Sequence, residues 1–347
     1  MASYRIGIAG VVHGHVTAHL RQWAELEAAQ VVAVGDSDAA ERRRIVEGFE
    51  LGGAAQYDSI EAMLETEELD VVSVCTDTVG HADVVEAAAA RGVHAIVEKP
   101  LAVSLGDADR MYAAAGKHGV QVLTTYPTRW PQGPFQRAVT LARSGALGRV
   151  YEVDHRAGGP KPRAIDADTF FRWLYDPTRN GAGAFVDYCC YGADLACEVL
   201  GTPATVYAIA GRWVRDDLVS DDNARILCTY PRGTAQIEGT WTAHDAHPAR
   251  TLLVAEGGTL VVRAGAVVLY DSAHPEGREL DEADLPAGTG DASVPANLLR
   301  SLEEGVPAAA WTGIEHHRNV AELLDAGLRS ARSGAPVHLP LPHPTLP

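Results

Sequence analysis

Short apolar runs alternate with amphipathic segments along the first 125 residues, and this alternation limits the possible folds more than any other feature of the sequence. Uninterrupted Val- and Ile-rich strands separated by helices are typical of a parallel sheet that is covered on both faces. The segments between the runs carry apolar residues at a spacing of three to four, as amphipathic helices do. The runs lie at residues 4–9, 30–35, 70–75, 93–98 and 120–125. We therefore predict a doubly wound α/β domain over residues 1–125.

From residue 126 onward the pattern changes to strands that follow one another with hairpin-like spacing. The predicted strands lie near 149–156, 204–213, 223–230, 234–242, 250–256, 259–263 and 266–271. Helices are predicted at 134–144, 294–304 and 313–332. Residues 126–347 should therefore form an α+β domain with a large, mostly antiparallel open sheet. Because one face of such a sheet is left uncovered, we expect a homodimer or homotetramer that pairs through it.

The charge and cysteine content narrow the range of partners. A net charge of −17 over 347 residues opposes binding to phosphate backbones and anionic membrane surfaces, so we expect no nucleic-acid and no membrane partner. No apolar run reaches the roughly 18 residues of a membrane span. The five cysteines form no CxxC pair and follow no secretory leader. We therefore expect reduced thiols, a cytoplasmic location and a small-molecule substrate.

The stretch GIAGVVHGHV follows the first predicted strand and opens the first predicted helix. A Rossmann domain binds the pyrophosphate of its dinucleotide at this point, where the helix N-terminus offers unpaired N–H groups. The usual G-x-G-x-x-G pattern is altered, because Val12 and His15 stand where its second and third glycines belong. The residues expected to contact a dinucleotide here are Gly10, Val12, His13, Gly14 and His15.

The same stretch can be interpreted as a metal site, because it contains His-Gly-His. His13 and His15 are two positions apart, a spacing that does not share a helix face, and no Cys or carboxylate stands beside them in sequence. We therefore predict no metal. His19, four residues after His15, is expected on the helix surface.

Asp36 ends the second predicted strand, 26 residues after Gly10. An acidic residue at this place accepts hydrogen bonds from both ribose hydroxyls and repels a 2′-phosphate, so the sequence favours NAD over NADP. In the alternative interpretation Asp36 caps the next helix, with Asp38 as a rival cap. The arginines at 42–44 lie in the same region and leave NADP open.

Two further strand ends carry polar residues that should meet at the carboxyl edge of the sheet, where such folds bind ligands. Thr76 and His81 follow the third run, and Glu98 and Lys99 end the fourth; all four are predicted to contact the cofactor. The chain has only three lysines among its 29 basic residues, Lys99, Lys117 and Lys161. An ammonium group can change its protonation where a guanidinium cannot, so Lys99 is a candidate for catalysis. Lys161, in the polar loop at 157–168, is expected to be solvated, and closure over the substrate is the alternative.

The segment GAGAFVDYCCYGAD at 181–194 combines a glycine-rich approach with a predicted helix. Asp187, Tyr191 and Asp194 are spaced i, i+4 and i+7, so they share one face of that helix. Aromatic rings beside Arg and Asp suit the faces and hydroxyls of a sugar. The residues predicted to bind a carbohydrate-like substrate are Tyr126, Arg129, Trp173 and Asp187.

Four segments together resemble the Gfo/Idh/MocA family of oxidoreductases, named after glucose-fructose oxidoreductase and inositol dehydrogenase. They are GIAG at 7–10, EKPL at 98–101, GAGAFVDYCCYGAD at 181–194 and the closing stretch at 313–340. The resemblance implies that Lys99 lies beside the nicotinamide and that Asp187 orients the substrate. Tyr191 stands where most members have a catalytic His, as in the branch in which Tyr is the proposed proton carrier.

The chemistry of the residues agrees with this implication. An alcohol can release hydride only as its proton leaves, so the site needs a base near neutral pH and a charge that stabilises an alkoxide. A phenol becomes such a base beside a cation, and we expect Lys99 and Tyr191 to act as a pair. The sequence thus predicts an NAD(P)-dependent oxidoreductase for a secondary alcohol of a sugar, polyol or cyclic diol. The alternatives are a glycosidase that acts by transient oxidation with bound NAD, and a non-catalytic sensor of NAD or sugar.

Overall fold

The structure is a computed structural model, and it describes residues 4–126, 133–166, 168–244, 250–287 and 291–342, without the side chains of Thr169 and Phe170. The chain divides into two compact units. The first unit comprises Met1–Pro127, Asp168–Leu174 and Ser293–Arg318. The second comprises Thr128–Ala167, Tyr175–Ala292 and Asn319–Pro347.

The described elements are numbered here in chain order. The strands are β1 (Tyr4–Ala9), β2 (Ala29–Gly35), β3 (Ala55–Tyr57), β4 (Val71–Val74), β5 (His94–Glu98), β6 (Val122–Thr125), β7 (Val150–Gly158), β8 (Thr205–Gly211), β9 (Asn223–Tyr230), β10 (Gly233–Thr240), β11 (Arg250–Ala255), β12 (Gly258–Arg263), β13 (Ala266–Tyr270), β14 (Arg278–Glu279) and β15 (Val337–His338). The helices are α1 (Val16–Ala24), α2 (Ala39–Gly48), α3 (Ile60–Thr66), α4 (His81–Ala89), α5 (Leu105–His118), α6 (Pro134–Arg143), α7 (Thr169–Leu174), α8 (Pro177–Asn180), α9 (Ala184–Leu200), α10 (Val294–Glu304) and α11 (Ile314–Ser333).

The first unit contains a parallel sheet in the strand order β3-β2-β1-β4-β5-β6, counted over the described residues. All four residues of β4 are buried, because helices cover both faces of the sheet. The indole of Trp23 on α1 donates a 2.7 Å hydrogen bond to the hydroxyl of Ser73, and both side chains are buried. The predicted Rossmann domain is confirmed. The short strand β3 was not predicted, since two half-buried residues on either side of the exposed Gln56 leave no apolar pattern.

The helix α10 packs into the core of this first unit. Its residues Val294, Leu298 and Leu299 join the same buried cluster as Leu123 of β6. A β-bridge between Leu123 and Gly313 adds a backbone contact. The first unit therefore includes late segments of the chain, whereas the sequence pattern divides the chain at residues 125 and 126. An apolar helix face can be buried against a strand that is distant in sequence, and periodicity carries no sign of the partner.

The second unit contains a mixed sheet in the order β14-β13-β12-β11-β7-β10-β9-β8-β15 within the described ranges. The central pair β7 and β10 is parallel, and the other neighbours are antiparallel. Burial alternates along β9, so one face is packed and the other is open. The largely buried helix α9 packs against β7, β9 and β10. The predicted α+β architecture is confirmed.

Among the described helices, none combines the length and the apolar composition that a membrane span requires.

Candidate active site

The loop after β1 depends on a glycine at position 10. Gly10 has a φ of +83°, and a Cβ placed there would lie 2.8 Å from the backbone of Thr76. Only glycine combines this dihedral angle with such a close approach at low cost. The loop therefore packs directly against the end of β4.

Asp36 lies at the end of β2 with a buried carboxylate. Its two oxygens accept hydrogen bonds from the backbone N–H groups of Val11 and Asp38, each at 2.7 Å. Asp38 caps α2, because its Oδ1 accepts from the N–H groups of Ala40 and Glu41 at 3.0 Å each. The helix-capping role considered for Asp36 therefore falls to Asp38, and Asp36 instead holds the first loop.

The guanidinium of Arg42 is buried beside this position. It donates to the carbonyl oxygen of Asp36 and, at 2.7 Å, to the carboxylate of Asp58. Arg42 is thus already engaged by oxygens of the protein.

Glu98, at the end of β5, is fully buried between two imidazoles. His15 Nδ1 lies 2.8 Å from Glu98 Oε1, and His19 Nε2 lies 3.0 Å from Glu98 Oε2. His19 is 1% exposed, so its predicted place on the helix surface is wrong. The spacing of His15 and His19 is a clue to this arrangement, since residues four apart at the start of a helix reach the same neighbour.

This cluster is charged. Burial disfavours a charged imidazole, but Cys75 and Glu98 outweigh it and raise the pKa of His19 to about 10. Burial alone would raise the pKa of Glu98, but His15 and His19 more than offset it and hold that pKa well below its usual value. The carboxylate next to Lys99 therefore stays ionised near neutral pH.

His13, His15 and Glu98 offer ligand atoms that lie within 4.8 Å of one another, which raises the question of a metal. A histidine that binds a metal normally donates its other ring nitrogen to an acceptor. His13 Nδ1 instead accepts the N–H of His15 at 3.1 Å, so His13 Nε2 carries the proton of the neutral ring. A donor at that position suits an anion such as phosphate better than a metal ion.

Lys99 follows Glu98 at the end of β5 and is 4% exposed. The backbone beyond it is held by His81, whose Nδ1 donates to the carbonyl oxygen of Leu101 at 3.2 Å. Burial lowers the pKa of His81, so its ring is neutral near pH 7. Since β1, β4 and β5 are parallel neighbours, Thr76 and Lys99 lie at the same edge of the sheet as the first loop.

In the second unit, helix α9 begins at a close contact. A Cβ at Gly183 would lie 1.9 Å from the carbonyl oxygen of Asp221, so no other residue fits there without a backbone shift. The carboxylate of Asp221 accepts from the N–H groups of Gly183 and Phe185 at 2.7 Å each. This side chain satisfies two donors that the helix cannot satisfy itself. Asp221 was not predicted from the sequence, because a cap that is distant in sequence leaves no local pattern.

Asp187, in the first turn of α9, is held by two side chains from other segments. Trp241 Nε1 donates to Asp187 Oδ2 at 2.8 Å, and Lys161 Nζ lies 3.4 Å from the same oxygen. Lys161 also donates to the hydroxyl of Tyr188 at 3.0 Å, with its ammonium 4.7 Å from the centre of that ring. The prediction of a solvated Lys161 is therefore wrong, because its side chain reaches Asp187.

A pocket of about 410 Å³ lies beside this cluster in the second unit. Carbon atoms form most of its surface, and two tyrosines are among its lining residues. The rings of Tyr188 and Tyr191 are 6.5 Å apart. Between the neighbouring strands β7 and β11, His155 Nδ1 lies 2.8 Å from Thr251 Oγ1. The lining residues include Phe135, His155, Tyr188, Tyr191, Thr251 and Val262.

Four other residues were predicted to bind substrate or to share the helix face. Tyr126 is buried in the first unit, where its ring stacks on His317 at 5.5 Å. Trp173 is also buried; its Nε1 donates to the carbonyl oxygen of Val12 at 3.0 Å, and its ring lies 5.2 Å from His13. Asp194 is fully buried on α9. Arg129 lies outside the described residues.

Two family models match the chain. Residues 4–126 match the oxidoreductase family with an NAD-binding Rossmann fold, and residues 135–261 match the Gfo/Idh/MocA C-terminal domain. The matches and the fold define an oxidoreductase class whose N-terminal domain binds NAD. The chain belongs to the Gfo/Idh/MocA family of oxidoreductases, and the resemblance inferred from its motifs is confirmed.

Several relatives are dehydrogenases of sugars. The chain is 30% identical over 253 residues to a D-apiose dehydrogenase of Paraburkholderia graminis, across 72% of this chain but only 64% of that relative. It is 29% identical over 316 residues to a D-xylose 1-dehydrogenase (NADP+) of Haloferax volcanii, across 89% and 92% of the two chains. Among solved structures, the WlbA dehydrogenase of Bordetella pertussis superposes with a TM-score of 0.82 at 21% identity, covering 99% of each chain.

Proposed function

We propose that this protein is an NAD-dependent dehydrogenase that oxidises a secondary alcohol of a sugar, polyol or cyclic diol. One observation carries the proposal. Asp187 is fixed by Trp241 and Lys161 in the first turn of α9, and Tyr191, one turn further on, lines a pocket of about 410 Å³. A fixed carboxylate and a phenol at one helix face provide an acceptor for a substrate hydroxyl and a carrier for its proton.

The first unit supplies the groups that would hold the cofactor. The altered glycine loop keeps its close approach at Gly10, and His13 presents a donor toward an anion. The carboxylate of Asp36 accepts one backbone hydrogen bond at each oxygen, and each oxygen retains further acceptor capacity for ribose hydroxyls. These features support a role in cofactor binding for Gly10, Val12, His13, Gly14, His15, Asp36, Thr76, His81, Glu98 and Lys99.

The choice of NAD over NADP rests on charge. The buried Asp36 would repel a 2′-phosphate, and Arg42 is already engaged by Asp36 and Asp58. A relative from Haloferax volcanii is named for NADP+, so both cofactors belong in the test.

The chemical roles are divided among three residues. The nicotinamide ring accepts hydride when it is bound. Tyr191 takes the hydroxyl proton, Asp187 accepts a hydrogen bond that orients the substrate, and Lys99 contributes a positive charge that favours the alkoxide. Trp173 holds the first loop through its hydrogen bond to Val12, and its role in substrate binding stays a prediction.

The pocket supports a carbohydrate-like substrate. Phe135, Tyr188 and Tyr191 offer flat apolar surfaces to the C–H faces of a ring, and hydroxyl and imidazole groups lie among them. Relatives named for D-apiose, D-xylose and myo-inositol agree with this class of substrate. We further propose a cytoplasmic homodimer or homotetramer that assembles through the open face of the second sheet.

The test begins with a panel of polyols, aldoses and cyclic diols, each incubated with NAD or NADP while reduced nicotinamide is followed by absorbance. We expect turnover with NAD for at least one panel member. For that substrate, Lys99→Ala should lower turnover about a hundredfold while NADH binding, measured by fluorescence, stays nearly unchanged. The matched control is Lys117→Ala, which removes an exposed lysine from the end of α5.

Three outcomes would contradict the proposal. Retained turnover in Lys99→Ala would remove Lys99 from catalysis. Release of a free sugar from a glycoside without net NADH would identify the glycosidase. Tight NADH binding without turnover on any panel member would favour the sensor.

A further inference from the structure

Lys161 is held in place by residues that lie outside the pocket. A lysine side chain has several rotatable bonds, and fixing it in one position costs conformational entropy. That cost is lower when the backbone at its base is already immobile. Contacts that fix the backbone around Lys161 therefore decide how well its ammonium stays on Asp187 and Tyr188.

Arg215 makes several such contacts from the loop between β8 and β9. Its guanidinium donates to the carbonyl oxygen of Lys161 at 3.0 Å and to that of Pro162 at 2.8 Å. The same guanidinium forms a bidentate ion pair with the carboxylate of Asp217, at 2.7 Å for each hydrogen bond. Bidentate ion pairs of this kind are geometrically specific, since both groups are planar.

Three further hydrogen bonds hold the loop that carries Lys161. Asp217 Oδ2 accepts the N–H of Ala164 at 2.7 Å, and the hydroxyl of Tyr175 donates to the carbonyl oxygen of Pro162 at 2.6 Å. The N–H of Lys161 donates to the carbonyl oxygen of Trp241 at 3.2 Å. Both partners of the Arg215–Asp217 ion pair therefore make hydrogen bonds to the backbone of this loop.

The backbone that carries Arg215 is held by Asp222, which is fully buried. Its carboxylate accepts the backbone N–H groups of Trp213, Val214 and Arg215 at 2.9, 2.8 and 2.6 Å. Hydrogen bonding from Arg215 also holds the pKa of Asp217 well below its usual value, so the ion pair persists across the pH range of an assay.

We propose that Arg215 and Asp217 are positioning residues that hold Lys161 against Asp187 and Tyr188, so that the loop at 212–222 controls ligand binding from outside the pocket. The inference rests on the proposed function for the identity of the ligand, a polyhydroxy compound. The positioning itself is independent of that identity. Displacement of Lys161 would remove a hydrogen bond from Tyr188 and the ammonium that lies 3.4 Å from Asp187 Oδ2.

The scarcity of lysines gives a direct readout. Reductive methylation with ¹³C-formaldehyde labels three lysines and the α-amino group, and the product keeps its positive charge and one N–H donor. The signal of Lys161 is assigned by its loss in Lys161→Arg. Because its ammonium lies 4.7 Å from the centre of the Tyr188 ring, we expect a ring-current shift upfield of the exposed Lys117 signal.

In Arg215→Gln, the Lys161 signal should move most of the way toward that of Lys117, and Arg215→Lys should restore part of the shift. The matched control is Arg278→Gln, which breaks a 2.9 Å ion pair with Asp284 in the same unit without touching the Lys161 loop. An unchanged Lys161 signal in Arg215→Gln would overturn the proposal. A shift of equal size in Arg278→Gln would also overturn it, since general loosening would then explain both.

Kinetics with the substrate found in the panel provides the second arm. Arg215→Gln should raise KM about tenfold with a smaller change in kcat, because the chemical groups remain. If the Lys161 signal moves while no panel alcohol is oxidised, the positioning stands and the proposed function fails. If turnover is normal and both the signal and KM are unchanged, the proposed function stands and the positioning fails.

Discussion

At the level of single residues, the buried Glu98 shows how charge is placed next to Lys99. A carboxylate removed from water is stable only with partners, and His15 and His19 supply them at 2.8 and 3.0 Å. One partner, His15, also belongs to the loop proposed to hold phosphate. The same contact therefore joins the end of β5 to the first loop.

This cluster should give the protein a characteristic pH dependence. The pKa of His19 is raised from 6.5 to about 10, so its contribution is complete below pH 6.5 and is lost as the pH rises toward 10. The pKa of Glu98 is lowered, so its contribution is complete above its usual value of 4.5 and is lost only in stronger acid. The cluster stabilises the fold most between about pH 4.5 and 6.5.

We predict that the free energy of unfolding falls between pH 6.5 and 9.5, with His19 contributing up to about 1.4 kcal/mol per pH unit for its single proton. His19→Gln should remove that part of the slope, which urea titrations at several pH values would measure. His118→Gln, at the exposed end of α5, is the control and should keep it. A slope that is the same in wild type and His19→Gln would show that His19 is not protonated in the folded state.

At the level of secondary-structure elements, α9 carries Asp187, Tyr188 and Tyr191, so its first turn fixes the site. The cap comes from Asp221, more than thirty residues later in the chain. Burial raises the pKa of Asp221, while hydrogen bonds from Phe185 and Gly183 favour its ionised form. The ionised carboxylate also suits the positive end of the helix dipole.

Asp221→Ala should cost about 1–2 kcal/mol in unfolding free energy, because two backbone N–H groups lose their acceptor. It should also lower kcat/KM about tenfold or more through movement of Asp187. Ser293→Ala is a matched control, since Ser293 caps α10 through the N–H of Ala296 at 3.2 Å in the other unit. We expect a similar loss of stability there with normal kinetics. Normal kinetics in Asp221→Ala would show that the cap does not position the site.

The elements themselves were largely predictable from the sequence, whereas their partners were not. Helix α10 spans Val294–Glu304, as its apolar spacing predicts, and β9 spans Asn223–Tyr230. The local spacing of apolar residues predicts such helices and strands, because it reflects which face of the segment is buried. Contacts such as Lys161 with Asp187 depend on loops whose paths are fixed by hydrogen bonds to distant residues. The sequence therefore does not distinguish a polar loop that is solvated from a polar loop that packs into a site.

At the level of the whole molecule, the open face of the second sheet exposes apolar side chains. It carries Tyr207, Ile209 and Leu227, which are 39–44% exposed, beside charged side chains that pair with each other. Arg156 and Arg225 both contact Glu238, at 3.1 and 3.4 Å. Apolar side chains among paired charges on one sheet face suit a contact between copies of the chain.

We predict that the protein sediments as a dimer or tetramer of its 36.8 kDa chain. Leu227→Glu should shift it toward the monomer, because the new carboxylate would be buried without a partner in the interface. Tyr112→Glu, on the exposed side of α5, should leave the mass unchanged. A wild-type protein that sediments as a monomer at micromolar concentration would contradict the proposed interface.

Asp221 and Asp222 are adjacent in sequence but serve different parts of the second unit. One begins the helix that bears Asp187, and the other anchors the loop from which Arg215 reaches Lys161. Because a single peptide bond joins them, an inserted or deleted residue at this point would put both supports out of register at once. Changes in loop length between homologous chains should therefore be selected against at the two aspartates.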